Sequence, residues 1–348
     1  ATKFAQKLEE NAISLATSNG FETFVIELSN LKEQSKKGIE LLTALLKSPN
    51  YTQDTLNKLK TMQTGSLKRK ENDFDYVANN QLKSVLFKGT TLENSAAGTI
   101  ESISKIELKD IENFISQTVC LENLIIVAGG DFELKEFEKL VKPLLETLNV
   151  GKKAQLEEVN FISKKEEKVL IKDTQQAYIY FGSSFNINSK DEENYKAKVA
   201  SFILGGSGFG SRLMEEIRVK RGLAYSAYGS ISINKSHSYF NGYLQTKNET
   251  ADEAKKLVGE IIEDFVKNGV TNDELSAAKN FLTGSEPLRS ETLSQRLNRA
   301  FTLYYRGLEP NYSQKELEKI QNLELTDLNN YIKSHNEINN LTFSIVRK

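Results

Sequence analysis

Side chains of the types that hold a catalytic metal or act as a nucleophile are scarce in this sequence. The chain has two histidines, His237 and His335, and one cysteine, Cys120. The histidines stand far apart, whereas a zinc site on a helix needs two ligands three or four residues apart. Polar neighbours predict that both histidines are surface residues, and the apolar run 119–127 predicts that Cys120 is buried. A single cysteine also excludes an intramolecular disulfide.

A second chemical candidate is the glycine-rich run at residues 205–210, Gly-Gly-Ser-Gly-Phe-Gly. Such a run could cradle phosphates through its backbone N–H groups. A phosphate loop, however, follows a strand and ends in Gly-Lys-Ser or Gly-Lys-Thr, whereas here a predicted helix precedes the run and no lysine closes it. We therefore predict a turn between helices and not a nucleotide site.

The elements that position these residues come from an internal repeat. Residues 52–66 align without a gap on residues 271–285, an offset of 219 (271 minus 52), and seven of fifteen positions are identical. A second pair of blocks, 107–115 and 324–332, agrees at an offset of 217 (324 minus 107). In both copies the pattern predicts amphipathic helices, a threonine N-cap at the start of the first block, and an apolar strand after the second block.

The repeat is too long for the chain. Two copies at this spacing would need about 430 residues, and the chain has 348. The second copy opens with predicted strands at 168–172 and 176–181 and a helix over roughly 191–204, and the offset puts their counterparts before residue 1. About 70 residues of the first copy are therefore predicted to be absent from this sequence.

Strands in hairpin order with helices grouped after them predict an α+β fold. We predict two homologous domains, each a mainly antiparallel or mixed sheet covered by helices on one face. The first domain spans residues 1–150 and lacks its front end, and the second spans residues 160–348. The polar stretch 151–166 separates them.

Composition narrows the classes of function. Hydrophobic residues make up 39% and charged residues 27% of the chain, and the formal net charge is -1. These values are typical of a soluble globular protein and argue against general binding to nucleic acids or membrane surfaces. No stretch approaches the ~20 apolar residues of a membrane span. The chain opens without methionine, so the natural start is expected upstream, and the compartment, cytoplasmic or periplasmic, is left open.

The most specific string runs from Phe202 to Ser226, Phe-Ile-Leu-Gly-Gly-Ser-Gly-Phe-Gly-Ser-Arg-Leu-Met-Glu-Glu-Ile-Arg-Val-Lys-Arg-Gly-Leu-Ala-Tyr-Ser, with Gln-Gln-Ala at 175–177 ahead of it. It resembles the C-terminal domain of the pitrilysin-type (inverted-zincin) zinc endopeptidases. That group includes the mitochondrial processing peptidase and the core proteins of the respiratory cytochrome bc1 complex. The likeness is strong over residues 165–285, and residues 11–23 resemble the strand region that follows the zinc motif in the family's N-terminal domain.

The zinc motif of that family, H-x-x-E-H on a helix, is not found in this sequence. The family's pattern, carried along the repeat, puts the third ligand, a glutamate, at or near Ser66, and no carboxylate lies between Asp54 and Glu71. A serine hydroxyl does not replace an anionic or imidazole ligand, and a shifted alignment would offer Glu71 instead. We predict no metal ligand in this chain and expect the zinc in a partner subunit.

The resemblance also implies a second, zinc-independent pair, Arg218 and Tyr225. Gly222 is predicted to end a helix that begins near Ser211, so Tyr225 would start a strand and the pair would flank a helix-to-strand corner. In the family such donors stabilise the oxyanion of a peptide carbonyl under attack. Spacing alone leaves a simpler alternative, in which Arg218 forms an ordinary salt bridge and Tyr225 packs at the end of a sheet. Arg221 is a second candidate for the arginine of the pair.

Two further features are given a peptide-binding role by the resemblance. The loop with Gly206, Gly208 and Gly210 would lie near the peptide-binding chamber and contact substrate. The strand 239–246 is predicted to be a sheet edge, where a peptide could be held by strand addition.

Three functional hypotheses follow. The leading one is a non-catalytic partner subunit of a two-chain zinc metalloendopeptidase. It would pair with a homologous subunit that carries the zinc motif, or with a second copy of itself, and bind peptide or unfolded-protein substrates with Arg218 and Tyr225. The second is an active zinc endopeptidase whose H-x-x-E-H motif lies upstream of residue 1. The third is a purely structural subunit like the respiratory core proteins.

Overall fold

The computed structural model of this chain describes residues 2–348. The helices are α1 (Thr2–Glu10), α2 (Ser35–Lys47), α3 (Gln53–Lys70), α4 (Phe74–Leu86), α5 (Ile100–Lys105), α6 (Leu108–Thr118), α7 (Leu134–Leu145), α8 (Asn194–Ser201), α9 (Arg212–Met214), α10 (Ala251–Asn268), α11 (Asn272–Gly284), α12 (Leu293–Arg306), α13 (Tyr312–Gln321) and α14 (Leu325–Ser334). The strands are β1 (Ser14–Asn19), β2 (Phe24–Ser29), β3 (Glu166–Ile171), β4 (Gln176–Ser184), β5 (Ala224–Ile233), β6 (Ser238–Lys247) and β7 (Thr342–Arg347). Helices combined with antiparallel and mixed sheets confirm the predicted α+β class.

The chain divides into two compact units, each built from segments that are not adjacent in sequence. The first unit contains the residues up to 67, 98–157 and 292–301, and the second contains 68–97, 158–291 and 302–348. The domains predicted at 1–150 and 160–348 were based on the sequence repeat, whereas these units are defined by compactness. That division by homology stays a prediction.

A five-stranded sheet in the order β3-β7-β4-β6-β5 forms the centre of the second unit. β3 and β7 are parallel, and the other neighbours are antiparallel. Alternate side chains of β4 and β6 (Ile179, Phe181, Phe240 and Leu244) point to one face and are fully buried in one cluster with residues of α8, α10 and α11. The two-residue period of a strand thus produces the main hydrophobic core.

The opposite face of this sheet is covered by α4, a layer that the sequence did not predict. Leu82 and Leu86 of α4 are buried in a cluster with Tyr239 of β6. Gly182 of β4 permits this close approach, because a Cβ atom there would lie 2.9 Å from Leu86 Cδ1 and 2.8 Å from the Phe240 carbonyl oxygen. α4 follows the first repeat block in sequence, yet it packs on the sheet of the second copy.

β6 is an interior strand, so the prediction that residues 239–246 form a sheet edge is wrong. The strand pairs with β4 on one side and with β5 on the other. The alternation of side chains reports which face of a strand is buried, but it does not report the strand's neighbours. The edges are β3 and β5, and β5 is partly covered, because Ser201 Oγ accepts a hydrogen bond from the Ile231 N–H at 3.0 Å.

The described residues of the first unit form helices and one two-stranded sheet. β1 lies in the strand region predicted at residues 11–23, and it forms a hairpin with β2, which follows that region. The apolar strand predicted after α6 is wrong, because residues 124–129 join no sheet. Its counterpart β7 lies between β3 and β4, and the described part of the first unit has no equivalents of those two strands. Cys120 is 1% exposed, which confirms its predicted burial.

Helices are present where the repeat predicts them. At the offset read from the sequence, α2 and α3 match the positions of α10 and α11, and α6 matches that of α14. The internal duplication itself stays a prediction. Among residues 2–348, no helix combines the length and the apolar composition needed to cross a membrane.

Candidate functional site

The residues of interest lie where α9 leads into β5. Ser211 caps α9 by accepting a hydrogen bond from the Met214 N–H at 3.4 Å. The helix continues as a π turn over Glu215–Val219, which contains Arg218. π turns inside helices occur frequently at functional sites.

The turn out of this helix is a paired C-cap. The Gly222 N–H donates to the Arg218 carbonyl and the Leu223 N–H donates to the Ile217 carbonyl, both at 2.9 Å. Gly222 has a φ of 63°, which residues other than glycine rarely adopt. The prediction that Gly222 ends a helix begun near Ser211 is confirmed.

Tyr225 lies in a β-bulge at the start of β5. Ala224 pairs with Thr246 and Ala227 pairs with Leu244, so Tyr225 and the next residue face a single residue of β6. A bulge turns side chains away from their regular direction. The Tyr225 side chain is accordingly 80% exposed.

The Arg218 guanidinium lies between two aromatic rings. Its central carbon, Cζ, lies 4.3 Å from the centroid of the Tyr225 ring and 4.6 Å from the centroid of the Phe209 ring. Both distances are typical of cation–π contacts. Phe209 comes from the glycine-rich loop and is 65% exposed. The structure thus brings the predicted Arg–Tyr pair and the glycine-rich loop together in one group, which we call the aromatic–arginine stack (Phe209, Arg218 and Tyr225).

Charge pairing distinguishes the neighbouring arginines. Arg221 Nη1 donates to Glu216 Oε2 at 2.6 Å and to the Glu216 carbonyl at 2.9 Å. Hydrogen bonds from Lys220 and Arg221 hold the pKa of Glu216 below its usual range. Within residues 2–348, Arg218 makes no salt bridge and no side-chain hydrogen bond, so the simple salt bridge considered for it from spacing is not formed.

The glycines of the loop have separate structural roles. A Cβ atom on Gly205 would lie 2.4 Å from the Gly229 nitrogen, so the loop packs directly on the β5 backbone. Gly208 has φ of +68° and immediately precedes Phe209. The run consists of the end of a π turn (Phe202–Gly206) and a 3-10 turn (Gly208–Gly210), and it connects α8 to α9, as a link between helices was predicted to do. Contact of Gly206, Gly208 and Gly210 with substrate stays a prediction.

A row of tyrosines continues from the bulge across the face of the sheet opposite the main core. Tyr228 of β5 is the direct neighbour of Tyr243 on β6, which is the direct neighbour of Tyr180 on β4. Their ring centroids lie 5.5 Å and 5.4 Å apart. Burial raises the pKa of Tyr243. Cross-strand aromatic pairs stabilise the sheet beside the bulge.

Both histidines are more buried than predicted. His237 is 7% exposed, its ring packs against Phe87 and Tyr239, and its Nδ1 lies 2.8 Å from Ser236 Oγ. His335 stacks on Phe185 at 4.4 Å. The prediction of surface histidines relied on polar neighbours in sequence, whereas their neighbours in space are aromatic.

The side chains present do not fit the zinc site of the family. Ser66, at the position of the third ligand, is a half-buried residue of α3, and Glu71 is exposed just beyond the end of that helix. Among residues 2–348, no three His, Cys, Asp or Glu side chains are grouped so that they could hold a metal ion.

Comparison with known proteins identifies the family. The family model described as "Peptidase M16 inactive domain" matches residues 105–282. The chain belongs to the M16 peptidase family. Residues 105–282, which include the aromatic–arginine stack, are an M16 inactive domain.

Relatives within the M16 family cover most of the chain. The chain is 46% identical to the Helicobacter pylori protein named non-peptidase homolog YmxG, over 99% of this chain and 80% of that protein. It is 21% identical to the uncharacterized zinc protease YmxG of Bacillus subtilis, over 86% of this chain and 73% of that protein. A peptidase M16 inactive domain from Pseudomonas fluorescens superposes with a TM-score of 0.92 at 22% identity, covering 99% of this chain and 82% of that structure. The resemblance drawn from the sequence is confirmed for family and fold.

The sequence did not predict Phe209 as a site residue. The only local signal for Phe209 was a large aromatic residue between two glycines, in a loop whose other residues are small. An exposed aromatic in such a loop is a candidate contact residue.

Proposed function

We propose that this chain is the non-catalytic partner subunit of a two-chain M16 metalloendopeptidase and that it binds and positions peptide substrates. The observation that carries the proposal is the aromatic–arginine stack, which holds a half-buried, unpaired guanidinium at a helix-to-strand corner. The side chains that would hold zinc in an active subunit have no fitting counterpart among the described residues. Zinc would be bound by the partner subunit.

The stack can act through hydrogen bonds to the peptide backbone. The guanidinium has five N–H donors in a plane, and the Tyr225 hydroxyl adds a donor beside it. Donors fixed by surrounding packing bind a peptide carbonyl, and they bind it more strongly as its oxygen gains negative charge. The paired C-cap and the bulge fix the backbone of Arg218 and Tyr225 before a peptide arrives. In the complex, this chain would supply these donors and the partner would supply the reaction.

The names of relatives support a role without catalysis. The Helicobacter pylori relative is named a non-peptidase homologue, and the model matched by residues 105–282 is described as an inactive domain. An unpaired, half-buried arginine favours a binding role over a purely structural one, because a structural arginine normally has an anionic or carbonyl partner.

The test is a peptidase assay on the purified chain and on its complex with a co-purified subunit that carries H-x-x-E-H. We expect no chelator-sensitive peptide cleavage by the chain alone and chelator-sensitive cleavage by the complex. Arg218→Ala in this chain should lower kcat/KM of the complex about 100-fold, the usual effect of losing one oxyanion donor. Arg221→Ala, whose guanidinium is already paired with Glu216, is the matched control and should leave kcat/KM nearly unchanged.

Zinc-dependent cleavage by the chain alone would overturn the proposal. Equal activity of the complex with Arg218→Ala, Tyr225→Phe and the unaltered chain would contradict the binding role and favour a structural subunit.

A further inference from the structure

The two rings of the aromatic–arginine stack cover part of its cation. Arg218 Cζ lies 4.6 Å from the centroid of the Phe209 ring and 4.3 Å from the centroid of the Tyr225 ring, and the two rings make no ring contact with each other within residues 2–348. The rings therefore lie on different sides of the cation, and a ligand can reach it through the N–H groups that they leave uncovered. An edge of the guanidinium is a planar array of parallel donors.

A carboxylate matches this edge better than a neutral carbonyl. Its two oxygens can accept two parallel N–H bonds at once, and both partners are charged, which about doubles the strength of each bond. The two aromatic rings also displace water from the guanidinium, so less hydration is lost when the ion pair forms.

The surrounding charges leave Arg218 available for such a ligand. The nearby Glu216 is occupied by Lys220 and Arg221, with N···O distances of 2.6 Å to each. Arg212, six residues before Arg218, is engaged by Glu274. An incoming carboxylate would meet a cation that is not already neutralised by this chain within residues 2–348.

We propose that the aromatic–arginine stack is a carboxylate receptor, which selects peptides that present an acidic side chain or a free C-terminal carboxylate to Arg218. The inference rests on the proposed function only in taking this corner as the peptide-binding site. Phe209 is a positioning residue, because its ring packs on the guanidinium that also contacts Tyr225. The left-handed Gly208 before it sets the path of the loop.

The experiment measures fluorescence anisotropy of four labelled peptides with the purified full chain. One pair is identical except for a C-terminal carboxylate or amide, and the other pair has an internal Glu or Gln and an amidated end. We expect a carboxylate-bearing peptide to bind about 10-fold more tightly than its amide partner. The preference should weaken as salt rises, because the pair is partly exposed. A preference confined to one pair assigns the receptor to chain ends or to acidic side chains.

Variants separate the stack from simple charge attraction. Arg218→Lys keeps the charge but loses the planar fork, and it should remove most of the preference. Phe209→Ala should reduce the preference several-fold, whereas the control Phe114→Ala, which alters an exposed phenylalanine of α6, should not. If acid and amide peptides bind equally and both depend on Arg218, the receptor idea is wrong while the peptide-binding function stands. If no peptide's affinity depends on Arg218, both are wrong.

Discussion

At the scale of single residues, family likeness predicted more than local pattern did. Arg218 and Tyr225 were singled out because the string from Phe202 to Ser226 is specific, and the helix end at Gly222 was predicted because a glycine after a helix is a strong stop signal. Phe209 was missed because cation–π stacking joins residues that are distant in sequence and leaves no periodic trace. The burial of His237 was missed because the aromatic rings that cover it come from other elements.

The left-handed conformation of Gly208 gives a prediction at this scale. Gly208→Ala should lower the free energy of unfolding by about 1–2 kcal/mol, because a Cβ atom at φ of +68° clashes with its own backbone. Gly210→Ala is the matched control. Gly210 does not have a positive φ, and its Cβ atom would lie 3.5 Å from Ser207 Oγ, an ordinary contact. Urea unfolding of both variants measures the difference, and equal losses would contradict the assignment of strain to Gly208.

At the scale of elements, caps and helices were predictable and strand partners were not. Thr271 and Glu274 form a reciprocal capping box at the start of α11, and Thr52 Oγ1 accepts from the Thr55 N–H at 3.2 Å ahead of α3. Caps are local and can be read from four residues. Sheet order, the interior place of β6 and the docking of α4 on the second sheet depend on contacts between distant segments, which a single sequence does not encode in any short pattern.

Glu274 and Arg212 together link α9, α11 and the end of α10, which gives a prediction with a pH dependence. Glu274 accepts from Arg212 Nη2 at 2.7 Å and from the Thr271 N–H at 2.8 Å, and Arg212 also donates to the Gly269 carbonyl at 2.7 Å. Burial alone would raise the pKa of Glu274, but the hydrogen bonds from Arg212 and Thr271 outweigh it and hold the pKa below its usual range. The ionised carboxylate therefore stabilises the fold at pH values above the unfolded pKa, about 4.3. This contribution is lost as the pH falls through the lower pKa of the folded state.

We expect Glu274→Gln to lower the free energy of unfolding by about 2 kcal/mol at pH 7. The gap between the variant and the unaltered chain should close as the pH falls below about 4. Glu263→Gln, at an exposed position of α10, should have little effect at either pH. Denaturant unfolding at pH 7 and pH 3.5 measures the gap, and a gap that persists unchanged at the lower pH would refute the linkage.

At the scale of the whole molecule, the repeat explains the architecture only in part. Helices recur at the offset predicted from the sequence, but the second unit contains a five-stranded sheet and the described first unit contains a two-stranded one. The compact units also cross the repeat, since residues 68–97 belong with the second sheet and residues 292–301 belong with the first unit. A sequence repeat identifies similar segments, whereas a compact unit forms where apolar faces of different elements are buried against each other. α4 packs its apolar face on β4 and β7 and therefore belongs to the second unit.

The central proposal is that Arg218 is the cation that binds peptide. The direct measurement is the dissociation constant of a labelled, carboxylate-bearing peptide for the purified chain and for its Arg218→Ala and Arg221→Ala variants. We predict that Arg218→Ala weakens binding about 10- to 100-fold, the loss of a charge-assisted hydrogen bond, and that Arg221→Ala changes it less than 2-fold, because Arg221 is paired with Glu216. Equal affinities of all three proteins, each shown to be folded, would contradict the account.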